Sequence, residues 1–290
     1  MKTQSLPIMS FTQKSNNTFA ANGVASDHEE NLPAIVAIAK MVVTLAPPVT
    51  SESVIHDNAC GPGVVTNAVL SVYANTQGHP PRIIASDIVP GMVELAARKG
   101  HAHNDCVEAH VMDAKKLDKI PDGTLTHSFT NFLFVRGWGD DDMVTFASEI
   151  FRTLRPGGTA CKAAWKRHEW HSVVRDALLE TRPDAALVES WMPQQPWSQD
   201  RVVAIFEKAG FGRTDMTVTT VQHTPEAPIQ WDTDLWKQFL AATNIAVKRH
   251  LSEEERKRYK VNLAKRIEQD KKNPSRFRWE AWILTAKKSS

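Results

Sequence analysis

Short apolar runs alternate with helical patterns along most of this 290-residue chain. Such alternation is typical of parallel strands joined by helices that cover both faces of a sheet. The patterns predict strands at 53–57, 82–87, 107–113, 125–135, 159–165, 210–222 and 278–288. They predict helices at 29–46, 64–73, 91–100 and 200–209, and another between the acidic run at 140–142 and the LRPGG sequence at 154–158. We therefore expect an α/β fold with a mostly parallel sheet.

The composition excludes several classes of protein. The 35 basic side chains nearly balance the 33 acidic ones, whereas a nucleic-acid-binding protein is expected to carry a basic surplus. Three separated cysteines indicate neither a disulfide framework nor a metal cluster. The N-terminus has no continuous apolar signal region, and the longest apolar stretch is too short to span a bilayer. We expect a cytoplasmic protein that binds neither nucleic acid, membrane nor metal.

The segment before the last predicted strand differs in character from the rest of the chain. It predicts a loop, a helix and then the strongly charged helix LSEEERKRYKVNLAKRIEQDKK. Ser252 and Glu255 have the spacing of a capping box at the start of that helix. Tyr259, Leu263 and Ile267 form a narrow apolar stripe, so the charges are expected to lie on a solvated face.

A glycine loop follows the first predicted strand directly, in the sequence HDNACGPG at residues 56–63. Ligands of an open parallel sheet bind at the carboxyl ends of its strands. Gly61 and Gly63 would allow a ligand to approach the backbone, because they carry no Cβ atom. The alternative is a tight turn that needs glycine for its geometry alone. We predict that the loop cradles a cofactor.

Two further strand ends have side chains suited to a nucleoside. Asp87 ends the second strand, 24 residues after Gly63, and its carboxylate can accept both hydroxyls of a ribose. Met112 offers an apolar surface to an adenine, and Asp113 can accept its exocyclic amine, although an aspartate at a strand end is equally expected as a helix cap. Together these positions favour a nucleoside ligand.

The loop does not suit a dinucleotide. In the pattern G-x-G-x-x-G, counting from Gly61, the third place is Thr66, where close helix packing prefers glycine or alanine. Asp57, just before the loop, would repel a pyrophosphate. A ligand with a positive charge and no phosphate fits better, and S-adenosylmethionine, with its sulfonium and amino groups, is such a ligand.

The motifs HDNACGPG, ASDIVPGMVELA, HVMDA, FTNFLF, LRPGG and EKAGF occur in this order. Together they resemble the class I S-adenosylmethionine-dependent methyltransferases, particularly the small-molecule methyltransferases of fungal secondary metabolism. The resemblance implies a Rossmann-like seven-stranded sheet whose last strand is antiparallel, with a helical lid over the site. It implies four segments: a lid at 1–50, an S-adenosylmethionine-binding core at 51–222, a helical cap insertion at 223–275 and the final strand at 276–290.

The resemblance also implies cofactor contacts. The family's first acid, here Asp57, holds the methionine amino group, Asp87 is the ribose acid and Asn131 lines the methionine part. The implied cofactor-binding residues are Asp57, Asn58, Ala59, Gly61, Gly63, Asp87, Ile88, Met92, Met112, Asp113, Ala114, Asn131 and Phe132. Two residues depart from the family pattern, which has glycine in place of Ala59 and an aliphatic residue in place of Asn58.

The resemblance identifies no catalytic base, so the catalytic residues stay unassigned. An amine acceptor needs chiefly positioning against the sulfonium, whereas a hydroxyl acceptor also needs a base. His127 falls within a strand and is expected to be structural. The chain has nine tryptophans and two tyrosines, which suggests an apolar, aromatic-lined acceptor pocket, with packing in the core and cap as an equally open alternative. The candidates for the substrate pocket are Trp165, His168, His171, Trp231 and Trp236.

The sequence therefore predicts transfer of a methyl group to N or O of a small, largely apolar metabolite. The main alternative is a protein of the same fold whose pocket catalyses a reaction without methylation, such as cyclisation of a natural-product intermediate. A nicotinamide oxidoreductase is a third hypothesis, and a binding or structural module ranks last because it has no use for a glycine cradle. The oligomeric state is left open.

Overall fold

A computed structural model describes residues 33–74, 79–101, 106–133, 138–167, 169–191, 198–224, 251–271 and 279–289. Its seven strands form one sheet in the order β3-β2-β1-β4-β5-β7-β6. They are β1 (Val54–Asn58), β2 (Arg82–Asp87), β3 (Val107–Val111), β4 (Leu125–Asn131), β5 (Leu154–Arg167), β6 (Met216–His223) and β7 (Trp279–Lys287). This arrangement confirms the expected α/β fold with a Rossmann-like seven-stranded sheet.

The sheet is mixed and mostly parallel. Strand β1 pairs in parallel with β2 and β4, β2 pairs in parallel with β3, and β4 pairs in parallel with β5. Strand β7 runs antiparallel to β5, because Cys161 lies against Thr285 whereas Gly157, earlier in the chain, exchanges a backbone hydrogen bond with Lys288, later in the chain. Strand order reverses between β1 and β4, which places the switch point at the carboxyl ends of these two strands.

Eight α-helices lie in the described ranges. They are α1 (Pro33–Leu45), α2 (Val64–Tyr73), α3 (Pro90–His101), α4 (Asp140–Thr153), α5 (Glu169–Thr181), α6 (Ala185–Trp191), α7 (Gln199–Lys208) and α8 (Glu253–Lys271). Helix α1 packs on α2 and β4, α3 packs on β2 and β3, and α4 packs on α7. Three aspartates in the first turn of α4 interact favourably with the positive end of the helix dipole.

The chain divides into two compact units. The first comprises Met1–Ala164, Gln199–Val221 and Trp282–Ser290. Its core contains fully buried side chains from the strands and from the helices that cover them, such as Ile38, Ile55, Phe129 and Phe146. This unit contains the carboxyl ends of β1, β2, β3 and β4, at which the sequence predicts a cofactor.

The second unit comprises Trp165–Ser198 and Gln222–Ala281. Helices α5 and α8 pack against each other within it. The predicted capping box forms, since the backbone N–H of Ser252 donates to the Glu255 carboxylate and the backbone N–H of Glu255 donates to the Ser252 hydroxyl. Tyr259 and Leu263 of the predicted apolar stripe are buried, so the stripe marks the packed side of α8.

Several local features differ from the sequence-based prediction. Strand β5 begins at Leu154, so the LRPGG sequence lies inside the strand instead of separating it from α4. The β4–β5 register shifts there, with Leu125 opposite Leu154 and His127 opposite Thr159, and Gly157 has φ of 77°. Helices α5 and α6 were not predicted, and strand β6 begins at Met216 instead of Gly210. Among the described residues, no helix is long and apolar enough to cross a membrane.

Candidate functional site

The turn from β1 into α2 is held together by a buried carboxylate. One oxygen of Asp57, Oδ2, accepts hydrogen bonds from the Thr66 backbone N–H at 2.9 Å and from the Thr66 hydroxyl at 2.7 Å. Asp57 is 1% exposed, so these bonds form out of contact with water, where a charged acceptor contributes most. Thr66, which departs from the dinucleotide-binding pattern, thus joins the end of β1 to the start of α2.

The loop above this contact adopts a left-handed backbone at three residues. Ala59, Gly61 and Gly63 have φ of 55°, 51° and 86°. Glycine enters this region without penalty, whereas alanine is strained there by about 1–2 kcal/mol. The glycines are therefore required by the backbone as well as by any ligand that approaches it.

Asp87 links the glycine loop to the end of β2. Its Oδ2 accepts a hydrogen bond from the Gly61 N–H at 3.0 Å, and its Oδ1 accepts one from the Val89 N–H at 2.9 Å. Burial raises the pKa of the Asp87 carboxyl, while the backbone hydrogen bonds act in the opposite direction. Each carboxylate oxygen retains a second lone pair, so the group can still accept two hydroxyls. The carboxylate is oriented before any ligand arrives.

The end of β3 lies next to that of β2. The backbone N–H of Met112 donates to the Asp87 carbonyl at 3.1 Å, and Met112 is buried. Asp113 accepts a hydrogen bond from the Lys115 backbone N–H at 2.9 Å, so the carboxylate closes a turn and does not form the helix cap that was the alternative prediction. Ile88 is 53% exposed and leaves an apolar surface open at this edge of the sheet.

Of the remaining residues predicted near the adenine, Met92 is half-buried on α3 and Ala114 is buried in the turn after β3.

The end of β4 carries a second strained residue. Phe132 has φ of 56°, and its backbone N–H donates to the Ala163 carbonyl at 3.3 Å. Asn131, just before it, has a buried Oδ1 atom with no hydrogen-bond partner among the described residues. A side-chain oxygen without a partner at a strand end is suited to accept a hydrogen bond from a bound molecule. Asn58, next to Ala59, is 0% exposed and is directed into the protein.

The residues predicted for the acceptor are described only in part. Trp165 is half-buried near the end of β5, with its ring centroid 5.7 Å from that of Trp279. His171 lies in α5, but its side chain is outside the described part of the structure. The other predicted acceptor residues also lie outside the described residues: His168, Trp231 and Trp236.

His127 has a structural role, as predicted. Its ring is buried, with Nδ1 2.7 Å from the Thr126 hydroxyl and Nε2 3.1 Å from the Pro47 carbonyl. Burial is the largest of the effects that lower the pKa of His127. The Nε2 contact joins β4 to the segment before β1, and because both ring nitrogens have partners the ring is not free to accept a proton from a substrate.

The described ends of β1 and β2 place two carboxylates, those of Asp57 and Asp87, at the glycine loop. Residues 55–158 match a family model described as a methyltransferase domain. Methyltransferase ktnA of Aspergillus niger is 26% identical over 263 residues, which cover 82% of this chain and 85% of that protein. The acetylaranotin bis-thiomethyltransferase of Aspergillus terreus is 25% identical over 228 residues, which cover 74% of this chain and 73% of that protein.

A solved structure shows the same fold. It is phosphoethanolamine N-methyltransferase 2 of Haemonchus contortus in complex with S-adenosyl-L-methionine, with a TM-score of 0.52 and 14% sequence identity. The superposition covers 88% of this chain and 53% of that chain, so the present chain spans about half the length of the Haemonchus protein.

Proposed function

We propose, from the premise that this chain is a class I S-adenosylmethionine-dependent methyltransferase, that it methylates N or O of a small, largely apolar metabolite. The observation that carries the proposal is the Asp87 carboxylate, which two backbone N–H groups hold beside the left-handed glycine loop. A carboxylate at this place can accept the hydroxyls of a ribose, and a glycine loop beside it leaves room for the methionine part of the cofactor.

The residues present fit the cofactor. The backbone at Gly61 and Gly63 approaches the open edge of the sheet without a Cβ atom, and Ile88 offers an exposed apolar surface beside Asp87. A cationic sulfonium is favoured near carboxylates, whereas a pyrophosphate is repelled by them. We propose that Asp87 accepts the ribose hydroxyls and that Ile88 and Met112 contact the adenine.

Bound S-adenosylmethionine supplies a methyl group on a positively charged sulfur. The chain's own residues bind and orient it: Asp57 holds the loop through Thr66, and Asn131 offers an accepting oxygen beside the methionine part. Positioning an acceptor in line with the methyl group supplies a large share of the rate enhancement for such a displacement. Among the described residues, neither Asp57 nor His127 has the freedom to act as a base.

The acceptor is proposed from the aromatic residues and the relatives. The residues proposed to contact it lie at the end of β5, directly after it, or before β7 in the chain: Trp165, His168, His171, Trp231 and Trp236. The Aspergillus terreus relative is named for methylating thiols, so sulfur acceptors belong in any test beside amines and phenols. We propose a small, largely apolar acceptor from the high proportion of tryptophan in the chain.

Cofactor binding is tested by titrating the protein with S-adenosylhomocysteine in a calorimeter. Asp87→Ala is expected to weaken binding by about 1–3 kcal/mol, the scale of a lost hydrogen-bond partner with a charge. Asp118→Ala is the matched control, because Asp118 is exposed and pairs only with Lys116 at the surface. Equal affinity in the wild type and in Asp87→Ala would show that the ribose lies elsewhere.

Methyl transfer is tested with radiolabelled S-adenosylmethionine and small apolar amines, phenols and thiols. Label is expected in the product of an amine or a phenol. Product from a candidate natural-product intermediate, formed at an unchanged rate without cofactor or with S-adenosylhomocysteine, would support the cyclisation alternative and contradict methyl transfer.

A further inference from the structure

A row of polar side chains crosses one face of the sheet just beneath its carboxyl edge. In the strand register, Asn58 of β1 is opposite Ser86 of β2, and Thr130 of β4 is opposite Lys162 of β5. The β1–β4 register, continued by one residue, places Asn58 beside Thr130. Opposite residues of neighbouring strands share a face, so four adjacent strands each contribute one side chain to this polar row.

The side chains of the polar row are buried, and several have no partner. Asn58 is 0% exposed, Thr130 is 1% exposed and Lys162 is 4% exposed. Within the described part of the chain, neither polar atom of the Asn58 amide has a hydrogen-bond partner, nor does the Thr130 hydroxyl. The hydroxyl of Ser128, two residues before Thr130 on the same face, is also buried without one. Buried polar groups in native proteins are normally hydrogen-bonded, to a ligand or water if not to protein.

Lys162 brings a positive charge to this row. Its Nζ lies 5.8 Å from the centre of the Phe146 ring, and the residues that the structure describes offer it no carboxylate. Burial lowers the pKa of Lys162 to about 8, so the amine is still mostly protonated at pH 7. Burial destabilises an ammonium that has no negative partner, and a bound anion would offset that cost.

We propose that the polar row binds one small monovalent inorganic anion, such as chloride, against the ammonium of Lys162. Ammonium, hydroxyl and amide N–H groups can all donate hydrogen bonds to the same particle, which is the donor set that an anion needs. The anion joins the ends of β1, β4 and β5. Strand β1 leads directly into the glycine loop through Ala59, so anion binding stabilises the edge of the sheet that carries the cofactor.

The site is tested first on the wild-type protein. Crystals grown in sodium bromide are expected to show one anomalous peak between Lys162 and Thr130. Thermal unfolding is expected to shift upward by about 2–4 °C when chloride replaces gluconate at constant ionic strength, because only the folded state holds the site. A water molecule at that position without anomalous signal, or equal melting temperatures in the two salts, would overturn the proposal.

Two variants separate this site from general salt effects. Lys162→Met keeps the shape of the side chain and removes its charge, and is expected to abolish the chloride-dependent shift. Lys166→Met is the matched control on the same strand, because Lys166 is partly exposed and pairs with Glu280 at 3.2 Å. It is expected to retain the full shift. An unchanged chloride response in Lys162→Met would also overturn the proposal, and if that variant fails to fold, the bromide crystals of the wild type still decide.

Discussion

The two faces of the central strands treat their buried polar groups differently. On the face toward α2, the carboxylate of Asp57 is bonded twice to Thr66, and both ring nitrogens of His127 have partners. On the face toward α4, Asn58 and Thr130 are equally buried but have polar atoms without a partner among the described residues, whereas on the face toward α2 such an atom occurs in these strands at Asn131, at the end of β4. Burial alone therefore does not tell which polar residues stabilise the fold. The partners do, because an unpaired buried group costs free energy and a paired one contributes it.

The largest effect is expected from a substitution on the face toward α2, where Asp57 and His127 have hydrogen-bond partners. Asp57→Ala leaves the Thr66 N–H and hydroxyl without their acceptor, and the free energy of unfolding is expected to fall by about 3 kcal/mol. Urea unfolding followed by circular dichroism measures this change. Thr66→Ser is the control, because serine retains both donors to Asp57. A similar loss in Thr66→Ser would mean that packing of the Thr66 methyl group, not the carboxylate, holds the turn.

His56 lies on the face toward α4, and its effect on stability is tested by lowering the pH. Its Nε2 lies 2.8 Å from the Ser86 hydroxyl, and burial lowers its pKa to about 3. Below the unfolded pKa of about 6.5, only the unfolded chain takes up the proton, so stability falls as the pH decreases from about 6.5 towards 3. This histidine is expected to contribute a loss of about 2 kcal/mol between pH 7 and pH 5.

Denaturant unfolding of His56→Gln at pH 7 and pH 5 checks that value. The variant is expected to lose this part of the pH dependence, whereas His79→Gln, which changes an exposed histidine, is expected to keep it. The same acid sensitivity in His56→Gln as in the wild type would assign it to other groups.

A smaller effect, of opposite sign, is expected at the polar row. Thr130→Val replaces a buried hydroxyl without a partner by a methyl group of similar size, so stability in chloride-free buffer is expected to rise by about 1 kcal/mol. Val188→Thr provides the reverse change at a fully buried position and is expected to destabilise the protein. A loss of stability in Thr130→Val would show that this hydroxyl is already satisfied, and the difference between the two faces would disappear.

The sequence predicted the main elements of the fold because their boundaries coincide with local signals. Helix α2 and strand β2 have the expected limits, since Gly63 precedes the helix and Asp87 ends a continuous apolar run. The start of β5 was predicted wrongly, because Pro156 and Gly157 are typical of a turn. In the structure they form an irregular part of the strand that bonds to Lys288.

The candidate site was predicted only where one strand end suffices to define it. Asp57 and Asp87 each follow an apolar run, and parallel strands bring such ends to one edge. The hydrogen bonds that Thr66 donates to Asp57 depend on the position of helix α2, which the sequence pattern does not give. The G-x-G-x-x-G pattern of dinucleotide-binding loops identified Thr66 only as a departure. The polar row depends on strand order and register, which place Lys162 beside Thr130 although 32 residues separate them in the sequence.

The smallest expected effect concerns Ala59, where the two faces meet at the start of the glycine loop. Ala59 has φ of 55°, in which alanine is strained and glycine is not. Ala59→Gly relieves that strain but increases the freedom of the unfolded chain, so the net gain in stability is expected to be about 0.5 kcal/mol. Ala74→Gly, at the C-cap of α2 with φ of −55°, is the control and is expected to lose stability. A loss in Ala59→Gly as large as in Ala74→Gly would show that the left-handed backbone at residue 59 carries no strain.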